Sequence, residues 1–305
     1  MIVVVCPGQG SQTPGFLAPW LAETRFADHL AALSDAAGID LAAHGTSSDA
    51  DTIRDTAVAQ PLIVAAGLLT LTALLDGRRP LIGGVAGHSV GELTAAAAAG
   101  ILSETDAMTL VRERGTAMAR AAALEATGMS AVIGASEDEL LARLVELGLA
   151  PANFNGGGQI VVAGALDALA ALKEAPPSGA RIIPLQVAGA FHTRYMSPAV
   201  SHLSTVAASI EKHDPSLTIW TNRDGTTVSS GAAFIDLIVG QVSSPVRWDM
   251  TMDAFAAAGV TGLIEIAPAG ALVGLAKRGL KSVPTVAVKT PDDLAAAFDL
   301  IDGKS

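Results

Sequence analysis

Cysteine occurs once in 305 residues, at Cys6 inside an apolar run. No disulfide framework can form within the chain, which suits a reducing compartment. Aromatic residues make up only 4%, and 19 basic residues face 30 acidic ones, for a formal net charge of −11. That balance argues against nucleic acid or an anionic membrane surface as a general partner. No basic segment precedes the N-terminal apolar run, and Pro7 and Gly8 cut it short, so no signal peptide is expected. Thr56 to Leu75 carries no charge and is long enough on paper to span a bilayer. Its Gln60-Pro61 step, threonines and alanines fit instead a helix buried in a core from about Pro61 onward. A cytoplasmic protein without a metal site is expected.

What the chain has in quantity is apolar residues, 50% of the total. Its length allows one large or two modest domains. The central feature is Gly87-His88-Ser89-Val90-Gly91-Glu92, a G-x-S-x-G string. Before it lies Gly83-Gly84-Val85-Ala86, readable as a buried strand, and after it an alanine-rich helix from Leu93. Strand, sharp turn and helix are the context of a nucleophile elbow. The turn forces the serine into a strained conformation, and the flanking glycines remove side chains that would collide there. The hydroxyl of Ser89 is then exposed beside a helix N-terminus able to stabilise an oxyanion.

Ile2 to Cys6 reads as a strand inside a parallel sheet. The loop Pro7-Gly8-Gln9-Gly10-Ser11-Gln12 lacks the third glycine of a dinucleotide fingerprint and the lysine of a P-loop. Residues 16–45 read as helical turns, and Ala50 to Asp76 as a helix pair joined near Gln60-Pro61. Ser103 opens a helix to about Leu124 with a capping-box-like Ser103-Glu104-Thr105-Asp106. Its apolar stripe is Ala107, Leu110, Val111 and Met118, with Arg114 in the middle. A buried arginine must meet an acceptor. No acidic residue shares the stripe, so a ligand carboxylate is one candidate partner.

From Gly128 to Ala188 the pattern is strand 129–134, helix 137–147, strands 150–155 and 159–163, helix 165–173 and strand 181–187. That is a βαββαβ unit inserted in a larger α/β domain. The chain returns through Gly189-Ala190-Phe191-His192-Thr193. Helix 196–210, strand 217–221, helix 234–239, a loop from Gln241 to Trp248, strand 263–266, helix 271–278 and strand 285–288 follow. A mostly parallel sheet covered on both faces is implied. A serine nucleophile needs a base. Among six histidines, His29, His44, His202 and His213 lie in polar surroundings, and His88 should point away from Ser89. His192 stands at the domain return.

In this order, Pro7 to Gln12, Gly87 to Glu92, Arg114-Gly115 with Met118, Asn153-Phe154-Asn155, Gly189 to Thr193, and Gln241 with Pro245-Val246-Arg247-Trp248 resemble malonyl-CoA:acyl-carrier-protein transacylases over essentially the whole chain. One departure is Ala267-Pro268-Ala269-Gly270, where the family often has Gly-Pro-Gly. The resemblance implies an α/β-hydrolase-like large domain with a parallel sheet (residues 1–125 and 190–305) and a ferredoxin-like small domain (126–189). It implies that Ser89 attacks a malonyl thioester, that His192 is its base, and that an oxygen of Gln241 orients His192. Backbone N–H groups of Gln9 and Val90 would form the oxyanion hole. Arg114 would bind the malonyl carboxylate, with Met118, Phe191, His88 and Asn155 also at the substrate. The implied partners are malonyl-CoA and an acyl carrier protein, whose own phosphopantetheine makes a bound cofactor unnecessary. Lys277, Arg278 and Lys281 are the basic cluster expected to meet an acidic carrier, and a free-standing monomer is expected. A serine hydrolase would use the same elbow; Arg114 and the lack of an evident triad acid argue against it. A non-catalytic binder of CoA or carrier would not need Ser89, His192 and Arg114 together.

Overall fold

The computed structural model describes residues 1–304. In chain order, strand β1 (Ile2–Cys6) leads to α1 (Ala18–Leu21), α2 (Thr24–Ala37), α3 (Leu41–Thr46) and α4 (Thr56–Leu75). Strand β2 (Ile82–Gly87), α5 (Gly91–Ala98) and α6 (Glu104–Ala122) follow. The next unit is β3 (Thr127–Ile133), α7 (Glu137–Leu147), β4 (Ala150–Gly156), β5 (Gln159–Ala165), α8 (Leu166–Glu174) and β6 (Arg181–Pro184). The chain ends with α9 (Ser197–Ser209), β7 (Thr218–Trp220), α10 (Gly231–Gln241), β8 (Val246–Arg247), α11 (Trp248–Ala257), β9 (Gly262–Glu265), α12 (Ala271–Gly279), β10 (Thr285–Ala287) and α13 (Leu294–Ile301).

Strand β1 is apolar on both faces because it is covered on both faces. It pairs in parallel with β2 and β9 at the centre of a sheet ordered β10-β9-β1-β2-β7, in which every pairing is parallel. Its Val3, Val4 and Val5 are fully buried. Helix α4 is apolar all round and therefore sits inside: it is the one helix among the described residues long and apolar enough to cross a membrane, and 83% of its apolar window is buried. Thr70 and Thr72 satisfy their hydroxyls on the carbonyls of Ala66 and Leu68 one turn back. The expected helix pair is instead a 3₁₀ turn at Thr52–Arg54 followed by a single helix that continues through Pro61. Proline sits near the start of α4, where it removes one backbone donor, and burial of the rest of the helix holds the run together.

The second sheet, β6-β3-β5-β4-β8, carries the βαββαβ unit with the strand order of a ferredoxin-like fold. Three expectations are corrected here. Strand β6 ends at Pro184 rather than Val187, because it has a ladder only with β3 and proline offers no further donor. The stretch from Gln241 to Trp248 is not all loop: α10 runs on to Gln241, and β8 adds to the small sheet, parallel to β4. Two residues after Pro245 are too few to carry a periodic signal. Finally, α13 is a helix where none was expected.

Backbone contact at the elbow is very close. An added Cβ at Gly91 would lie 2.2 Å from the carbonyl oxygen of Cys6 in β1, and one at Gly87 2.0 Å from the carbonyl carbon of Gly91. Helix α6 approaches α4 in the same way: a Cβ at Gly115 would lie 2.9 Å from Thr56 O. That approach sets Arg114 beside Gln60. Helix α12 is fixed at its N-terminus by the buried carboxylate of Glu265, which accepts from the N–H groups of Gly270, Leu272 and Val273 at 2.9, 3.0 and 2.8 Å. Two glycine substitutions test this packing. Gly91→Ala should cost on the order of 3 kcal/mol or more, since backbone must move to admit the methyl group. Gly240→Ala, in α10 with nothing within 4 Å of its Cβ position, should gain about 0.5–1 kcal/mol. Denaturant midpoints of the two variants check both signs.

Candidate active site

Strand β2 delivers Ser89 and the return from the small domain delivers His192. They are the only non-glycine residues with positive φ among those described, at 54° and 61°. Such backbone is costly and persists where the surroundings impose it. At Ser89 the surroundings are Asn222, whose Oδ1 accepts the Ser89 N–H at 2.7 Å and whose Nδ2 donates to Gly87 O at 2.6 Å. At His192 the main chain is pinned by a bond from its N–H to Val242 O at 3.1 Å.

The two side chains meet, with Ser89 Oγ 2.7 Å from His192 Nε2. His192 Nδ1 lies 2.9 Å from the backbone oxygen of Gln241. That oxygen belongs to the last turn of α10, where helix carbonyls have no partner within the helix. A carbonyl only accepts, so Nδ1 carries the proton and Nε2 is left to accept from the serine. Burial, and then the positive charge of Arg114, push His192 down from 6.5 to about 3, so the ring is neutral at pH 7. The oxygen expected at Gln241 is therefore its main-chain one, and its side chain serves elsewhere.

Arg114 is 1% exposed. Its Nη1 donates to Gln60 Oε1 at 2.7 Å and its Nη2 to Gln241 Oε1 at 3.0 Å, with Ser89 Oγ 3.5 Å from Nη2. These bonds engage both Nη atoms, Nη2 twice, and leave the second proton of Nη1 and the Nε–H, which has no partner among the described residues. The stripe itself offers no acidic partner, as expected; glutamines from α4 and α10 meet Arg114 instead, and the carboxyl of Glu92 on α5 supplies opposite charge nearby. Glu92 is buried, accepting from Asn222 N at 2.6 Å and from Gln241 Nε2. Burial raises the pKa of Glu92 and lowers that of Arg114, and each charge restrains the shift of the other.

Sequence reasoning missed Gln60, Glu92 and Asn222 as site residues. Glu92 left a signal, being the only acidic residue between Asp76 and Glu104. Asn222, a polar residue just past a short strand, left none.

The dyad opens onto a cavity of about 690 Å³ between the two sheets. Gln9, Val90, Met118, Phe191, His88 and Asn155 all line it. The N–H groups of Gln9 and Val90 have no acceptor among the described residues. Gly8 holds the Gln9 loop against the elbow, since a Cβ there would lie 2.9 Å from His88 O. His88 points away from Ser89: its Nε2 lies 3.0 Å from Asn155 Oδ1, and Asn155 Nδ2 donates to Gln159 Oε1 at 2.9 Å. Arg278 also lines the cavity, while Lys277 and Lys281 lie exposed beside it on and after α12. Arg114 sits directly behind Gln60 and Ser89, both of which line the cavity.

The acyl transferase domain family matches residues 3–294, a span that holds Ser89, His192 and Arg114. The chain belongs to the acyl transferase domain family. Similar curated members include the malonyl CoA-acyl carrier protein transacylase of Mycobacterium tuberculosis, 51% identical over 298 residues (96% of this chain, 98% of the relative). That of Escherichia coli K12 is 35% identical over 312 residues (97% and 98%). The crystal structure of the transacylase from M. tuberculosis superposes with a TM-score of 0.94 at 50% identity, covering 97% of this chain and 99% of that one. A malonyl-transacylase solved in complex with a type II polyketide-synthase acyl carrier protein superposes with a TM-score of 0.91 at 31% identity (98% and 99%). The large and small sheets of this acyl transferase are thus a shared architecture.

The neutral, buried His192 has a consequence for acid stability. Between about 3 and 6.5 the unfolded chain binds a proton at this residue that the folded chain does not. Stability is therefore lost as pH falls through that window. Glu92 has the opposite sign, since burial raises its pKa in the fold. His192→Gln should remove the first contribution alone. Urea midpoints of wild type and variant from pH 7 to pH 4 should show the wild type falling more steeply; equal slopes would refute the assignment.

Proposed function

We propose that this acyl transferase moves the malonyl group of malonyl-CoA to the phosphopantetheine thiol of an acyl carrier protein through malonyl-Ser89. The observation that carries the reading is the place of Arg114: a buried guanidinium 3.5 Å from the nucleophile, with donors to spare. A short acyl group bearing its own carboxylate is what such a site recognises, by charge-assisted hydrogen bonds out of water.

The steps follow from the geometry. His192 Nε2 takes the hydroxyl proton as Ser89 Oγ attacks the thioester carbonyl. The oxyanion is received by the N–H groups of Gln9 and Val90. The tetrahedral adduct collapses, the C–S bond breaks, and His192 returns its proton to the CoA thiolate. The carrier thiol then gives its proton to His192 and attacks the ester carbonyl; the C–O bond to Ser89 breaks, and His192 returns the proton to Ser89 Oγ. During each charged moment, His192 Nδ1–H rests on Gln241 O at the negative end of α10. A neutral carbonyl in this position makes a weaker base than a triad carboxylate would, sufficient for a thiol and less helpful to water. No resident cofactor enters this reading; the pantetheine arms belong to the two substrates. Phe191 and Met118 narrow the acyl end of the cavity against larger α-substituents. We read the protein as cytoplasmic, in line with its one buried cysteine and its interior placement of α4.

Two measurements test the reading. Incubation with malonyl-CoA should add one malonyl group, mapping by mass spectrometry to Ser89; a label elsewhere, or none, would sink it. Arg114→Ala should lower kcat/KM for malonyl-CoA by roughly 30- to several-thousand-fold, the cost of removing one side of a buried charged pair. Gln60 and Gln241 already partner Arg114, so the variant should bring acetyl-CoA no gain, and the malonyl-to-acetyl ratio should fall. Parallel losses would make Arg114 structural.

The carrier face is tested separately. Arg278 lines the cavity that both substrates enter, so Lys277 and Lys281 are the informative positions. Lys277→Glu with Lys281→Glu should raise KM for the carrier several-fold and leave KM for malonyl-CoA nearly unchanged. Equal effects would place these lysines at CoA.

A further inference from the structure

The side chain of Gln241 joins Arg114 to Glu92. Its Oε1 accepts from Arg114, and its Nε2 donates to Glu92 and, at 3.2 Å, to Asn222 Oδ1. An amide is polar at both ends, and its direction here is fixed from both sides. Arg114 only donates, so it demands the oxygen. Glu92 and Asn222 Oδ1 present acceptors, so they demand the nitrogen. Glu92 must accept twice, because its other oxygen receives the backbone N–H of Asn222. That N–H belongs to the main chain and cannot turn round. The carboxyl also borders a second cavity of about 450 Å³, whose charged lining groups are Glu92, Arg223, Asp236 and Arg247. Arg247 is committed there to Asp249 at 3.0 and 2.7 Å and stacks over Phe154.

We infer that Glu92 is a positioning residue for acyl-group selection: by orienting the Gln241 amide it holds Arg114 in the attitude that receives the substrate carboxylate. This rests on the reading of Arg114 given under Proposed function. The Glu92 side chain makes no hydrogen bond to Ser89 or His192; only its backbone N–H reaches the Ser89 carbonyl, at 3.0 Å. His192 is oriented by the main-chain oxygen of Gln241, so the link through the side chain bears on Arg114 and on selection.

The isosteric substitution Glu92→Gln separates this role from simple packing. A glutamine has one acceptor and one donor end. If its oxygen serves Asn222 N–H, its NH₂ opposes that of Gln241, and the Gln241 amide turns its own NH₂ toward Arg114. If its oxygen serves Gln241, its NH₂ opposes Asn222 N–H. Either arrangement sets two donors against each other. The double variant Glu92→Gln with Gln241→Glu restores the chain from Asn222 N–H to Arg114, giving up only the 3.2 Å bond to Asn222 Oδ1: Gln at 92 accepts from Asn222 N–H and donates to a carboxylate at 241, which accepts from Arg114.

The readout is the ratio of single-turnover Ser89 acylation rates with malonyl-CoA and acetyl-CoA, alongside thermal midpoints. Glu92→Gln should lower the ratio by roughly 10- to 100-fold, as for the loss of one hydrogen bond to a charged group. The double variant should recover most of it. An unchanged ratio in Glu92→Gln, or a folded double variant no better than the single, overturns the inference. Should Glu92→Gln not fold, Gln241→Met cuts the same link without opposed donors, and a ratio unchanged there overturns it equally. Arg114→Ala separates the two readings. If it leaves the ratio unchanged, the reading of Arg114 fails; if it lowers the ratio while Glu92→Gln does not, only the role of Glu92 fails.

Discussion

A guanidinium buried to 1% exposure next to a neutral histidine is the constraint on which this site depends. Removing such a cation from water costs several kcal/mol unless its donors are met and its charge is answered. Three elements meet that demand from different directions: α4 with Gln60, α10 with Gln241 and α5 with Glu92. The same cation helps to keep His192 unprotonated, which is the state a general base needs. In the proposed reaction, substrate recognition and base activation therefore draw on one buried charge.

The second constraint is local. Both members of the dyad occupy left-handed backbone, and each is pinned by hydrogen bonds to segments distant in sequence. Asn222 lies 133 residues from Ser89 and holds the elbow from beneath. The geometry at the nucleophile thus depends on the large sheet being complete, since the strand before Asn222 is β7 at its edge.

Much of this was legible in residue order. The elbow could be read because its strand, turn and helix are contiguous, and its glycines have the close contacts that their spacing implied. The stripe 107, 110, 111 and 118 placed Arg114 in the interior, where it is. The βαββαβ insert was readable because each element has its own period and its own turn. What could not be read was who meets Arg114. Periodicity reports only the neighbours along one helix, whereas the partners come from other helices and are mostly amides. Pro61 suggested a break that burial overrode, and β8 was too short to announce itself. The roles of Gln9, Val90, Met118 and Phe191 came from resemblance; the structure puts them all on one cavity wall.

Strand β8 belongs by sequence to the large domain and by hydrogen bonding to the small one. Two covalent crossings join the domains, and alone they would define a hinge about which the cleft could swing. The ladder between Asn153-Phe154 and Val246-Arg247 is a third tether, reached five residues after Gln241. A body held at three points resists the rotation that two would permit. The mouth of the cleft and the carbonyl beside His192 are therefore braced by the same strut.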